Sequence, residues 1–298
     1  MSICIFQKKV VPLHSLNKLN PLNMLNPLNY IISQLSPTYS PEEAREIAFW
    51  VLEELTGLDR FTLSACKDTK NISNIEIILE RINKKEPIQY IFGHILWFGL
   101  DLKLSKATLI PRPETAELVD WLSSSFSDSG LKVLDIGTGS GCIALKLKQL
   151  HPSWNVTGID ISPEAIAIAK QNATRHHLDV SFLVQDIFQR SGLSAEGGHP
   201  YDLVVSNPPY VMESEKMSME STVLDYEPAS ALFVPDDDPL RFYRRIAELR
   251  LGTWLYFEIN EQMGSQMHEL LTSLGYTDIE IKKDSYGKER MVRARLAR

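Results

Sequence analysis

The stretch KVLDIGTGSGCIALKLKQ, residues 132–149, decides the fold. Its first five residues, Lys132–Ile136, are mostly apolar and predict a buried strand. Gly137–Gly141 then form a glycine-rich turn, and Cys142–Gln149 predict a helix. A strand, a glycine turn and a helix in this order form the first unit of an open α/β sheet, with a backbone that can approach a ligand closely at the turn.

The same alternation continues towards the carboxyl terminus. A helix is predicted from Pro163 to about His176, and further strands are predicted at Trp154–Ile159, Val180–Val184, Tyr201–Val205 and Trp254–Ile259. Such alternation predicts a parallel, doubly wound sheet. The last two strands, Asp278–Lys283 and Met291–Leu296, have a short connection and must be antiparallel. The sheet is therefore expected to end in a reversed hairpin, which plain dinucleotide-binding folds lack.

Acidic residues follow the second and third strands of this sheet. Asp160 ends the strand after the glycine turn, where a carboxylate can accept hydrogen bonds from both hydroxyls of a ribose. Asp186 follows the third strand and can meet an adenine edge. The glycine spacing is GxGxG rather than GxGxxG, which fits S-adenosylmethionine better than a dinucleotide; a purely structural turn is the third alternative. We expect Asp135 to do no more than cap the turn.

The segment Ser206-Asn207-Pro208-Pro209-Tyr210 directly follows the fourth strand. We expect this strand to lie beside the first one, which would place Asn207 next to the glycine turn. Two consecutive prolines stiffen the segment, so the Asn207 side-chain oxygen and the Pro208 carbonyl become fixed acceptors for a planar NH2 group. Tyr210 offers a flat face for stacking. The alternative is an ordinary proline turn.

Composition and charge limit the function classes. The chain has 298 residues, of which 44% are hydrophobic, and a formal net charge of −7. A folded core is expected, whereas a general nucleic-acid binder would need a basic surface. No stretch approaches the roughly 20 apolar residues of a membrane span. We therefore expect a cytoplasmic protein.

The cysteines and histidines predict no metal site. Cys4, Cys66 and Cys142 form no CxxC pair, which argues against a disulfide framework. The seven histidines show no HxxxH or HExxH spacing. We expect Cys142 to be a small buried helix residue rather than a reactive thiol.

Residues 1–35 differ in composition from the rest of the chain. NPLN occurs at 20–23 and again at 26–29, and asparagine and proline both oppose helices and central strands. We expect a disordered leader over residues 1–35, with a partner-docking tail as the alternative.

Between the leader and the α/β part, two more segments are predicted. Residues 36–85 should form a small all-α domain, because Ser40-Pro41-Glu42-Glu43 starts a helix and Gly57 ends it, and a second helix covers about 71–84. Residues 86–110 are aromatic and β-prone with interspersed glycines, and predict a hairpin linker. The α/β domain then covers residues 111–298.

The chain resembles the HemK/PrmC protein-(glutamine-N5) methyltransferases. The resemblance starts from VLDIGTGSGCIAL at 133–145, GIDIS at 158–162 and SNPPYV at 206–211. Also typical of the family are EPIQYIFG at 86–93, LIPRPET at 109–115, YEPASAL at 226–232, the stretch Phe257–Gln262 and DSYGKERMV at 284–292. NPPY alone is shared with adenine-N6 DNA methyltransferases, but its combination with LIPRPET and a helical amino-terminal domain is specific.

The resemblance implies a class I S-adenosyl-L-methionine-dependent methyltransferase that modifies the GGQ glutamine of class-one peptide chain release factors. It implies that the methyl donor contacts Gly137, Thr138, Gly139, Ser140, Gly141, Asp160, Asp186, Ile187 and Asn207. It implies that the target glutamine is held by Asn207, Pro208, Pro209 and Tyr210. The amino-terminal domain and the hairpin would help to dock the release factor. We expect a monomer with no membrane partner and no direct nucleic-acid partner.

Two positions depart from the family pattern. Asp236-Asp237-Asp238-Pro239 stands where a glycine-containing turn is usual, which leaves the conformation of this loop open. Ile187 stands where relatives often have tryptophan, so contacts to the adenine are expected to be weaker there.

Three other functions compete with release-factor methylation. A ribosomal-protein glutamine methyltransferase would use the same chemistry, and only its substrate would differ. An N6-adenine DNA methyltransferase predicts a basic surface, which the net charge opposes. A non-catalytic S-adenosylmethionine-binding scaffold predicts a damaged NPPY segment, and this one is intact.

Overall fold

The computed structural model describes residues 26–65, 74–127, 129–189 and 199–297. The chain divides into two compact units, Met1–Ile88 and Gln89–Arg298. The segment expected to link the helical and α/β domains, 86–110, lies almost wholly within the second unit.

The first unit is helical in its described part. Its helices are α1 (Pro27–Leu35), α2 (Pro41–Thr56), α3 (Arg60–Ala65) and α4 (Ile75–Asn83). The predicted start of α2 is confirmed, because Ser40 and Glu43 cap each other reciprocally and Pro41 occupies the first turn. Gly57 ends this helix in the left-handed conformation. α3 was not predicted. The second predicted helix, expected over about 71–84, is present as α4, which begins at Ile75 after Asn74 in the left-handed conformation.

Helix α1 corrects the expected extent of the leader. The Asn26 side chain accepts a hydrogen bond from the Leu28 N–H, and Pro27 occupies the first helical position. Ile31 and Leu35 are then fully buried. The second NPLN is therefore a helix start rather than a helix breaker, because Asn is a good N-cap and Pro fits the first turn. Residues 1–25 lie outside the described part of the chain.

The predicted hairpin is present but shorter than its aromatic segment. Strands β1 (His94–Trp97) and β2 (Leu100–Lys103) pair antiparallel. The preceding segment, expected to be β-prone, forms helix α5 (Ile88–Phe92) instead. Its buried Tyr90 donates a hydrogen bond to the Thr108 carbonyl at 2.6 Å and packs with two buried aliphatic side chains. Tertiary burial thus overrides the local β preference.

The second unit contains the predicted sheet. Its seven strands run in the order β10-β11-β9-β6-β3-β4-β5. They are β3 (Lys132–Ile136), β4 (Asn155–Asp160), β5 (Ser181–Val184), β6 (Tyr201–Ser206), β9 (Gly252–Glu258), β10 (Tyr276–Lys283) and β11 (Glu289–Leu296). Strands β3, β4, β5, β6 and β9 are parallel to one another, whereas β11 is antiparallel to both β9 and β10. The prediction of a mostly parallel sheet with a reversed terminal hairpin is confirmed.

Helices cover both faces of this sheet. Successive strand residues face opposite sides, so Val133 packs with one hydrophobic cluster and Leu134 with the other. The first cluster includes residues of α6 (Pro113–Ser125), α7 (Cys142–Leu150) and α8 (Pro163–Arg175). The second includes residues of α10 (Arg241–Leu249) and α11 (Gly264–Ser273). β6 lies beside β3, as expected, so the connections reverse direction between these two strands.

Short elements connect β6 to α10. They are β7 (Val211–Met212), a 3-10 helix (Glu213–Ser218), α9 (Ser221–Tyr226), a second 3-10 helix (Ala229–Ala231) and β8 (Phe233–Val234). β7 and β8 pair in parallel. Across the residues that the structure describes, none of the helices combines the length and apolar character needed to cross a membrane.

Candidate active site

A cavity of about 550 Å³ lies where the carboxyl ends of the parallel strands meet. Its lining includes the glycine turn, the end of β4, residues 185–188 after β5, Ser206 at the end of β6 and Asn207–Pro209 after it. Leu109, Pro111, Arg112 and Thr115 of the LIPRPET segment also contribute. The volume is typical of a small-molecule site. The cavity therefore brings together the two segments, glycine turn and NPPY, that the sequence analysis assigned to different ligands.

The glycines of the turn fall into two groups. Gly137 and Gly139 line the cavity at positive φ, and a Cβ added to either would meet no atom within 4 Å. Gly141 is not part of the lining. A Cβ there would lie 3.1 Å from the Phe182 ring and 3.2 Å from the Ala169 Cβ. The first two glycines thus leave room for a ligand, whereas the third permits close packing of α7.

Asp135, near the end of β3, stabilises the glycine turn through side-chain hydrogen bonds. Its Oδ2 accepts hydrogen bonds from the Thr138 hydroxyl at 2.5 Å and from the Ala144 N–H at 3.2 Å. The residue is fully buried, and this burial raises the pKa of its carboxyl to about 7. The expected capping role is confirmed, and the carboxylate also connects the strand to the first turn of α7.

Asp160 is fixed at the edge of the cavity by backbone donors. The Gly139 N–H donates to its Oδ2 at 2.8 Å, and the Ser162 N–H donates to its Oδ1 at 2.9 Å. Burial raises the pKa of Asp160, and these N–H groups oppose that rise. Each carboxylate oxygen has a second acceptor position, so the side chain can still accept hydrogen bonds from a ligand.

Residues after β5 form a further part of the wall. Asp186 and Ile187, which the family resemblance implies as contacts of the methyl donor, both line the cavity. The Asp186 carboxylate accepts a hydrogen bond from the Phe188 N–H at 2.8 Å. Phe188 also lines the cavity and packs edge-to-face against Phe242 of α10, with ring centroids 5.4 Å apart. This aromatic pair was not predicted from the sequence, and it adds apolar surface beside Ile187.

The tyrosine of the NPPY segment lies apart from the other three residues. Asn207, Pro208 and Pro209 line the cavity, whereas Tyr210 does not. The Asn207 side-chain Nδ2 donates to the Thr115 hydroxyl at 3.2 Å. The Tyr210 hydroxyl donates to Glu258 Oε1 at 3.2 Å. The first three residues thus lie beside the glycine turn, and the tyrosine ring is anchored elsewhere.

Thr115 and Glu258 also belong to the site, although no motif in the sequence indicated them. Glu258 ends β9, is 1% exposed, and accepts a hydrogen bond from the Thr115 hydroxyl at 2.6 Å. Burial raises the pKa of Glu258, whereas the hydrogen bonds from Thr115 and Tyr210 and the charge of Arg290 lower it. Both residues lie in family-typical segments, and that was the only signal in the sequence that could have indicated them.

A partly buried ion pair holds the LIPRPET segment. Arg112 Nη2 lies 2.5 Å from Oε1 of Glu227, which is 6% exposed. The other oxygen of Glu227 accepts a hydrogen bond from the Ile110 N–H at 3.2 Å. LIPRPET and YEPASAL are therefore fastened to each other, and Arg112 brings a positive charge to the cavity lining.

The altered loop at 236–239 is held by its own carboxylates. Asp236 accepts hydrogen bonds from the Ser214 N–H and hydroxyl, which lower its pKa. Asp238 pairs with Arg244 at 2.7 Å. Residues 236–239 do not line the cavity, so the departure from the family pattern does not alter its wall.

Two smaller expectations concern metals and Cys142. Among the described residues, no group of three or more His, Cys, Asp or Glu is placed to hold a metal ion. Cys142 lies buried in the first turn of α7, as predicted, and burial raises the pKa of its thiol to about 12. The thiol is therefore protonated at neutral pH.

Several known proteins are similar in sequence to this chain over most of its length. A family model described as a methyltransferase domain matches residues 127–281. A release factor glutamine methyltransferase from Bacteroides thetaiotaomicron is 45% identical and covers 89% of this chain and 97% of its own. A protein of the same name from Flavobacterium psychrophilum is 40% identical, covering 88% and 95% respectively.

Among solved structures, the catalytic domain of hMettl16, in complex with MAT2A 3'UTR hairpin 6, has a TM-score of 0.54. It is 16% identical to this chain and covers 67% of it and 77% of its own length. At this identity the likeness concerns the fold alone. That fold is the class I methyltransferase sheet predicted from the sequence, with its parallel strands and reversed hairpin.

Proposed function

The chain belongs to the release factor glutamine methyltransferase family. We propose that it, like the relatives of that name, methylates a peptide chain release factor. Its substrate would be the side-chain amide nitrogen (N5) of the GGQ glutamine in class-one peptide chain release factors. S-adenosyl-L-methionine would be the methyl donor. The chain would act as a monomer in the cytoplasm, where it would affect translation termination.

The glycine turn and Asp160 fit this methyl donor. Gly137 and Gly139 leave open space along their backbone, and the Asp160 carboxylate has free acceptor positions that could bind the hydroxyls of a ribose. Thr138, Ser140, Asp186 and Ile187 line the same cavity and would complete the donor site. When bound there, S-adenosyl-L-methionine supplies a methyl group activated by a sulfonium. Gly141 would act indirectly, through the packing of α7.

Asn207 and Pro208 would hold the target amide. An amide nitrogen is a weak nucleophile because its lone pair is delocalised, so its orientation matters more than a base does. The Asn207 Oδ1 and the Pro208 carbonyl are two acceptors for the two hydrogens of the amide NH2. They would orient the nitrogen and stabilise the positive charge that develops on it. The observation that carries this proposal is that Asn207 and Pro208 line the same cavity as the glycine turn and Asp160.

Tyr210 and Pro209 would complete the acceptor side. Tyr210 is proposed to pack on the glutamine, although its ring is not part of the cavity lining and its hydroxyl is held by Glu258. To stack on this ring, the glutamine side chain would therefore have to extend beyond the residues that line the cavity. Pro209 does line the cavity, and it would restrict the space around the amide.

The charge of the catalytic part favours this partner. Residues 111–298 contain 19 basic and 27 acidic residues. An acidic surface is complementary to a basic protein, and a factor that works on the ribosome has to contact RNA. An acidic surface equally disfavours DNA as a substrate.

The decisive experiment uses the purified chain, isotopically labelled S-adenosyl-L-methionine and an unmethylated class-one release factor. Peptide mass spectrometry should find one added methyl group on the GGQ glutamine. A release factor with this Gln→Ala substitution is the control and should remain unlabelled. Label on a ribosomal protein or on DNA adenine, with none on the release factor, would contradict the proposed substrate.

A further inference from the structure

We propose that Glu258 is a positioning residue that determines, through Thr115, which end of the Asn207 amide is available to the substrate. The proposal rests on the function proposed above in assigning Asn207 to the target glutamine. It adds two residues, Thr115 and Glu258, that the sequence analysis did not assign to the site.

The three side chains come from distant parts of the chain and form a continuous row. Thr115 lies in the first turn of α6, Glu258 ends β9, and Asn207 follows β6. The Thr115 hydroxyl is 2.6 Å from Glu258 Oε2 and 3.2 Å from Asn207 Nδ2. Thr115 and Asn207 line the cavity, but Glu258 does not. Glu258 can therefore affect a bound glutamine only through its neighbours.

The carboxylate fixes the direction of every hydrogen bond in this row. Both oxygens of the Glu258 carboxyl accept from hydroxyl groups, Oε2 from Thr115 and Oε1 from Tyr210. These two hydrogen bonds and the charge of Arg290 favour the ionised form against the effect of burial, and an ionised carboxylate has acceptors and no donor. The single hydroxyl proton of Thr115 is thus directed to Glu258. Towards Asn207, the Thr115 oxygen can act only as an acceptor. Asn207 must therefore turn its NH2 towards Thr115.

This direction leaves the other end of the Asn207 amide for the ligand. Amide oxygen and nitrogen are nearly the same size, so packing alone hardly distinguishes the two orientations. Among the described residues, no donor is hydrogen-bonded to Asn207 Oδ1. With the opposite orientation, the Asn207 NH2 would face the NH2 of the target glutamine. Two donors would then meet, and the partial positive charge of the Asn207 NH2 would oppose the charge that develops on the substrate nitrogen.

Substitution of Glu258 by Gln tests the direction of the hydrogen bonds with little change in size. In Glu258→Gln the new NH2 can donate to the Thr115 oxygen, which frees the Thr115 proton to donate to Asn207 Oδ1. Both orientations of Asn207 then become accessible. We expect kcat for the release factor to fall about 10- to 100-fold, less than the roughly 10²- to 10³-fold for complete loss of one oriented polar group, because Asn207 keeps its oxygen and only its orientation is no longer fixed. The Kd of S-adenosyl-L-methionine, measured by calorimetry, should change less than twofold.

The matched pair at Thr115 separates positioning from packing. Thr115→Val keeps the shape and removes the hydroxyl, so its kcat should fall as in Glu258→Gln. Thr115→Ser keeps the hydroxyl and removes a methyl group, so it should retain at least half of the wild-type kcat. An equal loss of kcat in the serine and valine variants would overturn the proposal. This pair also decides the matter if Glu258→Gln does not fold.

A spectroscopic measurement tests the proposal without turnover. In the 15N-labelled protein, the side-chain NH2 signals of Asn207 are identified by their loss in Asn207→Ala. In Glu258→Gln these signals should shift or split, because a second orientation becomes populated. Unchanged signals together with an unchanged kcat would overturn the proposal. If the wild-type protein does not methylate release factors but the signals still shift, the positioning role stands and the proposed substrate fails.

Discussion

The two sides of the cavity each depend on a buried carboxylate that binds a threonine hydroxyl, but the two carboxylates reach their partners differently. Asp135, on the side of the glycine turn, binds groups 3 and 9 positions further along the chain. Glu258, on the side of Asn207, binds hydroxyls 143 and 48 positions away. The glycine side is thus a local strand–turn–helix unit, whereas the Asn207 side forms only when the whole sheet has assembled. Substitutions on the two sides should therefore affect different measured quantities.

The largest expected effect is that of Asn207→Ala. This change removes one of the two proposed acceptors for the target amide, so kcat should fall about 10²- to 10³-fold. The glycine turn and Asp160 are unaffected, so the Kd of S-adenosyl-L-methionine should stay within about twofold. Steady-state kinetics and calorimetry on the same preparation measure both quantities. Retained turnover would show that the amide is oriented by other groups.

The next effect concerns the stability provided by the glycine side. Burial raises the pKa of Asp135 to about 7 in the folded protein, against about 3.9 for an unfolded aspartate. Below pH 4 the group is protonated in both states. As the pH rises towards 7, only the unfolded state loses the proton readily, so the free energy of unfolding falls. Above about pH 7 the loss is complete.

Asp135→Asn removes this titration and keeps an acceptor at the position of Oδ2. Between pH 5 and pH 8, the free energy of unfolding of the wild type should fall by about 3 kcal/mol more than that of the variant, since one pKa unit corresponds to about 1.4 kcal/mol. Urea titrations at the two pH values measure this difference. Parallel pH dependences in the two proteins would mean that Asp135 is not protonated in the fold.

Asp160→Ala should produce a smaller effect than Asn207→Ala, and it should change the Kd of S-adenosyl-L-methionine rather than kcat. It removes the proposed acceptors for the ribose hydroxyls, so the Kd of S-adenosyl-L-methionine should rise about 10- to 100-fold, as expected for hydrogen bonds to a charged group. At saturating donor, kcat should change less than Kd does. Asp160→Asn is the control that keeps the shape and one acceptor oxygen. An unchanged affinity in the alanine variant would remove Asp160 from the donor site.

The side of the site formed by the glycine turn was better predicted from the sequence than the side formed by Asn207, Thr115 and Glu258. The strand–turn–helix unit at 132–149 could be recognised because its hydrophobic period and its glycines are adjacent in the chain. The neighbouring position of β3 and β6 followed from the rules for parallel sheets, and it correctly brought Asn207 to the glycine turn. Nothing in the sequence pairs Thr115 with Glu258, because contacts between distant positions leave no periodic signal.

The errors in the fold have a related cause. Asn26 and Pro27 oppose helices in general, but at a helix start the same two residues are favourable, and the buried side chains that follow decide between the two cases. The aromatic segment of α5 has strand-forming residues, yet burial of Tyr90 against the loop before α6 makes it helical. In both places the packing partner lies outside the local window.

The smallest effects should come from a pair of glycines within the same turn. Gly139 and Gly141 both have positive φ, so alanine costs about 1 kcal/mol of strain at either position. At Gly139 the new methyl group would meet no protein atom within 4 Å and would project into the cavity. At Gly141 it would crowd Phe182, Ala169 and Leu145, at 3.1–3.2 Å, and such overpacking costs about 1–3 kcal/mol.

The two variants should therefore separate ligand binding from packing inside five consecutive residues. Gly141→Ala should lower the free energy of unfolding by about 1–3 kcal/mol more than Gly139→Ala does. Gly139→Ala should weaken the binding of S-adenosyl-L-methionine more than Gly141→Ala does, because only its methyl group occupies space that the donor needs. Urea unfolding and calorimetry on both proteins give the comparison. If both variants lost stability and affinity in the same proportion, the turn would act as one rigid unit, and the division of its glycines into a ligand-facing and a packing group would be wrong.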